Sequence, residues 1–251
     1  MTTRAARTLT LSAPAWSVAV RRSFSLPPGD SPEVPPHNPH TGYDAELLAA
    51  GLLTPDGRLH PDWAGAIRSA GNAPIKAELI STGEGIRTSC EVALFDGLGL
   101  SVDASHPILP SDAPSTGHQV PVVVNLFEGS DAWEVAAQTL PAFPELTSTD
   151  AEGARETVRR IVSDDELKAL EETARATVQF SVTAPGYQAL HLWLLNEHLE
   201  EARLHRGESG EPPTAVLVRH PPGAVARQFV WDVLGAYQAV DAASHNARGV
   251  A

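Results

Sequence analysis

The side chains best equipped for chemistry are ten histidines and a single cysteine. His191, His198 and His205 fall seven apart, with Glu201 close to His198. On one continuous helix over 188–206 they would share a stripe, and a metal or acid–base face would follow. On strands the same residues are separated, and no carboxylate is evident to orient a ligating imidazole, so they read as solvated polar positions. His37 and His40 lie in a proline loop and read as surface residues. Cys90 sits inside a strand-patterned run, where a thiol is more often a small core residue than a nucleophile. One cysteine makes no internal disulfide and supplies no thiolate set for structural zinc.

Other catalytic signatures are missing. No Gly-x-Ser-x-Gly elbow occurs around Gly129-Ser130 or Ser209-Gly210. Gly83-Glu84-Gly85 and Gly97-Leu98-Gly99 lack the third glycine and the strand-to-helix setting of a dinucleotide site, and no Gly-Lys-Ser/Thr phosphate loop exists. These glycines read as turns. No cofactor and no catalytic constellation is expected.

The chain that must position these residues has 251 amino acids, 42% hydrophobic and 20% charged, with a mean hydropathy of -0.13. That is the composition of a globular protein large enough to bury its own core. Eighteen Lys and Arg against 31 Asp and Glu give a net charge of -13, which repels nucleic-acid phosphates and anionic membranes alike. The longest strictly apolar run, Leu47 to Leu53, is seven residues, so no membrane insertion is expected. With no signal-like stretch before Pro14, the chain is expected to be cytoplasmic.

Apolar positions alternate through Leu9, Leu11, Trp16, Val18 and Val20, then stop at six prolines between Pro27 and Pro39, a loop. Ala45, Leu47, Leu48 and Leu52 predict a helix ended by the turn Thr54-Pro55-Asp56-Gly57, where Gly57 needs positive φ. Pro61 opens a second helix through Trp63, Ala66, Ile67 and Ala70. Period-two runs over Lys76–Thr82, Arg87–Phe95, Leu98–Asp103 and Val120–Leu126 predict four strands, and a helix follows over Asp131–Leu140.

The same order returns some 95 to 100 residues later: helices over Ala154–Ile161 and Asp164–Ala174, the latter capped by Ser163, strands over Thr177–Thr183, Ala189–Leu195, Ala202–Arg206 and Thr214–His220, and a helix from Pro222 to about Ala239. Helix propensity alone would make 188–206 one helix; the repeat and the Gly207–Pro213 loop make it two strands. The expected fold is α+β, a central and largely antiparallel sheet from two pseudo-twofold related ααββββα halves, about 1–141 and 150–241, flanked by helical bundles. Residues 242–251 are expected to be a disordered tail, and the whole to be a single domain.

Ala50-Gly51-Leu52-Leu53-Thr54-Pro55-Asp56-Gly57-Arg58-Leu59-His60-Pro61-Asp62-Trp63, continuing through Arg68 and Pro74 into Lys76–Ile80, resembles the helix–turn–helix–strand segment of the EspG proteins, cytosolic chaperones of actinobacterial type VII (ESX) secretion. The Leu9-Thr10-Leu11 opening and the final helix after a proline are similar too. The resemblance implies the same sheet with two helical bundles. It also implies binding, without catalysis or cofactor, of a protein client: the apolar tip of a helical PE-PPE-like heterodimer, or another ESX substrate.

From that family's binding region the expected contact residues are the turn Gly83, Glu84 and Gly85 and the helix residues Arg227, Gln228 and Trp231, with simple core packing as the alternative reading of Trp231. Two alternatives stand beside it: a metal- or histidine-dependent hydrolase using His191, His198 and His205, and a self-associating scaffold without a client.

Overall fold

The computed structural model describes residues 7–24, 42–108, 120–150, 159–205 and 214–249. The proline tract with His37 and His40, residues 109–119, residues 154–158 and residues 206–213 lie outside them.

Ten strands form one sheet: β1 (Arg7–Ser12), β2 (Ile75–Gly83), β3 (Ile86–Phe95), β4 (Leu98–Pro107), β5 (Pro121–Glu128), β6 (Arg159–Ser163), β7 (Ala176–Ala184), β8 (Tyr187–Leu195), β9 (Leu199–His205) and β10 (Thr214–His220). Their order is β1-β5-β4-β3-β2-β7-β8-β9-β10-β6, and every pairing among them is antiparallel. The helices are α1 (Ala13–Phe24), α2 (Asp44–Ala49), α3 (Pro61–Gly71), α4 (Ala132–Ala137), α5 (Pro144–Thr147), α6 (Asp164–Thr173) and α7 (Ala224–Gly249).

Strand alternation divides the burial between two faces. Ile75, Ala77, Leu79, Cys90, Val92, Leu94, Val178, Phe180, Val182 and Trp193 point to one face and pack with α4, α5 and α7. On the other face α1, α2 and α3 cover Leu11, Phe95, Leu100, Val122, Val124 and Leu126. At the far end of that face α6 covers Val162, Leu194, Ala202, Ala215 and Leu217. Between these two helical patches Lys76, Glu78, Glu91 and Gln179 stay exposed. The antiparallel sheet and the mixed α+β class follow the sequence expectation. Through His205 the ambiguous segment is two strands, as expected, with the second beginning at Leu199 rather than Ala202.

Three local expectations are corrected. Trp16, Val18 and Val20 belong to helix α1, which buries Ala15, Val18 and Ala19 at helical spacing. The helix expected over Ala154–Ile161 is, from Arg159 onward, strand β6: Val162 inserts into the α6 cluster and pairs with Ala215, and that tertiary pairing overrides local propensity. The expected ααββββα order is therefore β1-α1-α2-α3-β2-β3-β4-β5-α4-α5 in the first half and β6-α6-β7-β8-β9-β10-α7 in the second. The tail expected from 242 is helical through Gly249.

Turn and cap chemistry behaves as read. Gly57 has φ +79°, and the Ser163 hydroxyl accepts from the Glu166 backbone at 3.3 Å. Among the described residues no helix is long and apolar enough to cross a membrane.

Candidate functional site

Helix α7 gives the sheet a buried face and leaves a second face outward. Inward, Val225, Phe229 and Val233 recur every four residues and are buried, and Tyr237 is half-buried. Phe229 packs 5.7 Å from the ring of Trp133 and edge-on to Phe180 at 5.8 Å. Outward, Val230 is 44% exposed, Trp231 71% and Leu234 51%, with exposed Arg227 one turn before Trp231. Their spacing places them on a single stripe. Trp231 is thus a surface residue, the arrangement a contact role requires.

Of the other expected contact residues, Gln228 turns inward. Its side-chain amide donates to both Asp232 carboxylate oxygens, at 3.2 and 3.3 Å, so it is committed to the helix rather than offered to a partner. Gly83, Glu84 and Gly85 form the β2–β3 hairpin turn, with Glu84 at φ 52° and Gly85 at φ 76°. Glu84 and Gly85 are exposed. Gly83 and Glu84 line a groove of about 460 Å³ that has no α7 residue in its walls, so the turn belongs to a different feature from the α7 stripe.

Beneath α7 lies a charge cluster that no spacing in the sequence announces. His191 on β8 stands between two carboxylates, Nδ1 2.8 Å from Glu201 Oε1 and Nε2 2.9 Å from Asp232 Oδ2. Glu201 on β9 also takes the Arg203 guanidinium at 2.7 and 2.8 Å and His220 Nε2 at 3.1 Å. Asp232 on α7 takes the Tyr187 hydroxyl at 2.9 Å. One network therefore joins β8, β9, β10 and α7.

Burial opposes the charge on His191, but the hydrogen bonds to Asp232 and Glu201 outweigh it and push its pKa up to about 9. Burial likewise opposes the Glu201 charge, and the donors His191, His220 and Arg203 still hold that carboxyl well below its ordinary range. Asp232 is lowered in the same way, against burial, by His191 and Tyr187. Burial and then the Asp232 carboxylate push Tyr187 up to about 12.

This arrangement fastens α7 to the sheet. Both imidazole nitrogens face carboxylates, so His191 is held as an imidazolium donating from each and offers no lone pair to a metal. The stripe of three histidines does not form: His191 is in the cluster, His198 is exposed in the β8–β9 turn, and His205 ends β9. Among the described residues no group of three or more His, Cys, Asp and Glu is arranged to hold a metal ion. Cys90 is fully buried in β3, and burial followed by the nearby Asp103 charge pushes its thiol well above the usual range, so it resists ionisation.

Sequence reasoning sets Glu201 near His198 only in the helical alternative, and on strands it assigns Glu201 no partner; strand register brings His191 and His220 to it. Asp232 carried a signal. It is a charged residue beside Val233 and Phe229 on the apolar side of the final helix, where an unpaired carboxylate would be costly.

The His191 shift fixes a pH dependence. A histidine raised from 6.5 to about 9 on folding contributes stability that is fully present below pH 6.5 and lost as pH climbs through about 9. Glu201 and Asp232, depressed on folding, contribute above their unfolded values of 4.5 and 3.8 and lose it as pH falls. Thermal melts should therefore show the wild type falling toward His191→Gln between about pH 6.5 and about pH 9. Parallel curves would remove His191 as the titrating group.

No family model matches the chain, and no curated protein matches it.

Proposed function

We propose that this chain is a cytoplasmic, EspG-like chaperone of type VII secretion that acts by binding, and that the outer stripe of α7 holds a helical client such as the tip of a PE-PPE-like heterodimer. The observation that carries the reading is the exposure of Val230, Trp231 and Leu234 at contact spacing on a helix whose other face is locked to the sheet. Large apolar side chains gathered on one stripe are how one helix receives another, and a polar neighbour such as Arg227 forms the rim.

The same reading takes the fold as two pseudo-twofold related halves. Five strands stand on each side of the β2/β7 pairing, in an order that reads alike outward from it. The hairpin turns β2–β3 and β7–β8 each hold a glycine at φ 76°, Gly85 and Gly186, about a hundred residues apart. With these matched, Leu79 corresponds to Phe180, and those two residues pair directly across the centre of the sheet.

Coexpression with a PE-PPE-like pair should give a soluble complex that copurifies. Trp231→Glu should release the client while the free protein melts as the wild type does, because the ring makes its surface outside the core. Retention of the client by Trp231→Glu would refute the assignment, and formation of a homodimer through the same stripe would support the self-associating scaffold instead.

A further inference from the structure

The two hairpins related above end differently. Counting from Gly85 and Gly186, Ile86 of the first half matches Tyr187 of the second, and Cys90 matches His191. In the second half α7 covers this position. The Tyr187 ring lies so close to Gly235 that a Cβ there would stand 2.8 Å from its Cε2, and its hydroxyl donates to Asp232. Glycine is unfavourable inside a helix relative to alanine, and the ring above it explains the choice.

In the first half the helix following the last strand is α4, and it stops at Ala137. Past α4 the chain at 138–142 forms one wall of the groove of about 460 Å³, whose other lining includes Ile86, Thr88, Asp103, Ser105 and Val123, and Ile86 is left 48% exposed.

The polar groups of the two platforms differ in net sign. Under α7 the sheet offers His191 and Arg203 with one carboxylate, Glu201, and the helix supplies a second, Asp232. In the open groove the sheet offers Asp103, with Glu84 at the rim, and among the described residues no Lys, Arg or His lines it. Asp103 is 9% exposed. One of its oxygens, Oδ2, accepts from Asn125 at 2.9 Å, and Oδ1 accepts from no N–H or O–H among the described residues. The Cys90 thiol neighbours the carboxyl, whose pKa burial raises.

We propose that this groove docks an amphipathic helix of a partner protein in the place α7 occupies over the second half, with a lysine or arginine of that helix reaching Asp103. The inference rests on the two-half reading above and adds a second contact surface to the α7 stripe. It also gives the Gly83–Gly85 turn a role, as the rim of the groove.

The probe is a fluorescein-labelled peptide with the sequence of Ala224–Asp241 and lysine in place of Asp232, titrated by anisotropy against the full chain. Saturable binding is expected, about tenfold or more weaker for the parent peptide with aspartate. Asp103→Asn should lose a similar factor and Ile86→Glu should abolish binding, each variant first shown to melt cooperatively. Trp231→Glu, which tests client capture, should leave peptide binding unchanged, so the two readings fail separately.

Equal affinity of the two peptides, no binding at all, or indifference to Asp103→Asn would overturn the proposal. So would loss in Trp231→Glu, which would place the peptide on α7. Tighter binding after residues 109–119 are replaced by a Gly-Ser linker would also overturn it, by making the occupant the chain's own segment.

Discussion

Replacing Glu201 by alanine is expected to destabilise the protein by about 3–5 kcal/mol, the cost of leaving buried charges without their counter-ion. Glu201 is 4% exposed and receives His191, His220 and Arg203 together. Arg203 can turn to solvent because its side chain is 41% exposed, but His191 and His220 are mostly enclosed. His191 would keep Asp232 alone, so the fastening of α7 to β8 weakens at its polar end. Glu201→Gln should keep the shape and lose the charge, and should cost less. Chemical denaturation of the two variants at pH 7 checks this, and a loss below about 1 kcal/mol for Glu201→Ala would mean that the cluster is solvated rather than buried.

Phe229→Ala should have a similar effect from the apolar side, about 3–5 kcal/mol for removing a fully buried aromatic side chain. The ring is 1% exposed and wedged between Trp133 on α4 and Phe180 on β7, so its loss opens a cavity where α4, α7 and the sheet meet. Neighbours cannot close it cheaply, because Ala132, Ala136, Ala226 and Ala236 have no reach. Phe229→Leu fills part of the space and should recover about half of the loss. Equal stability of Phe229→Ala and wild type, measured by the same denaturation, would mean that α7 is not packed on the sheet as described.

Strands β8 and β9 were read from the expected repeat against their helix propensity, whereas β2 to β5, β7 and β10 were legible because alternation is a local property, one face of each being buried and the other polar or set against a different helix. The turn at Gly57 and the cap at Ser163 were legible for the same reason, as each is settled within four residues. Strand β6 was not, since Arg159–Ser163 takes its conformation from β10 and from the α6 cluster, neither of which is adjacent in the chain. Helix α1 was hidden because Trp16, Val18 and Val20 mimic a two-residue period while Ala15, Val18 and Ala19 do the burying.

The charge cluster was further still from view. Its members come from four elements, and it exists only once β8, β9 and β10 are in register and α7 has crossed them. Trp231 could be read as core or surface from sequence alone. What settles it is the roll of α7, set by Phe229 and Asp232 on the inward side.

The central claim is that a helical client is held on the α7 stripe by apolar contact rather than by charge. With a net charge of -13 the chain repels an acidic client at long range, so affinity has to come from side chains buried in contact. The most direct test is calorimetric titration of a purified PE-PPE-like heterodimer into the full chain at about 50 and about 300 mM NaCl, a range over which screening removes most surface electrostatics. The Kd should change by less than about threefold. A weakening of about tenfold or more with salt would show that charge carries the binding and would contradict the claim.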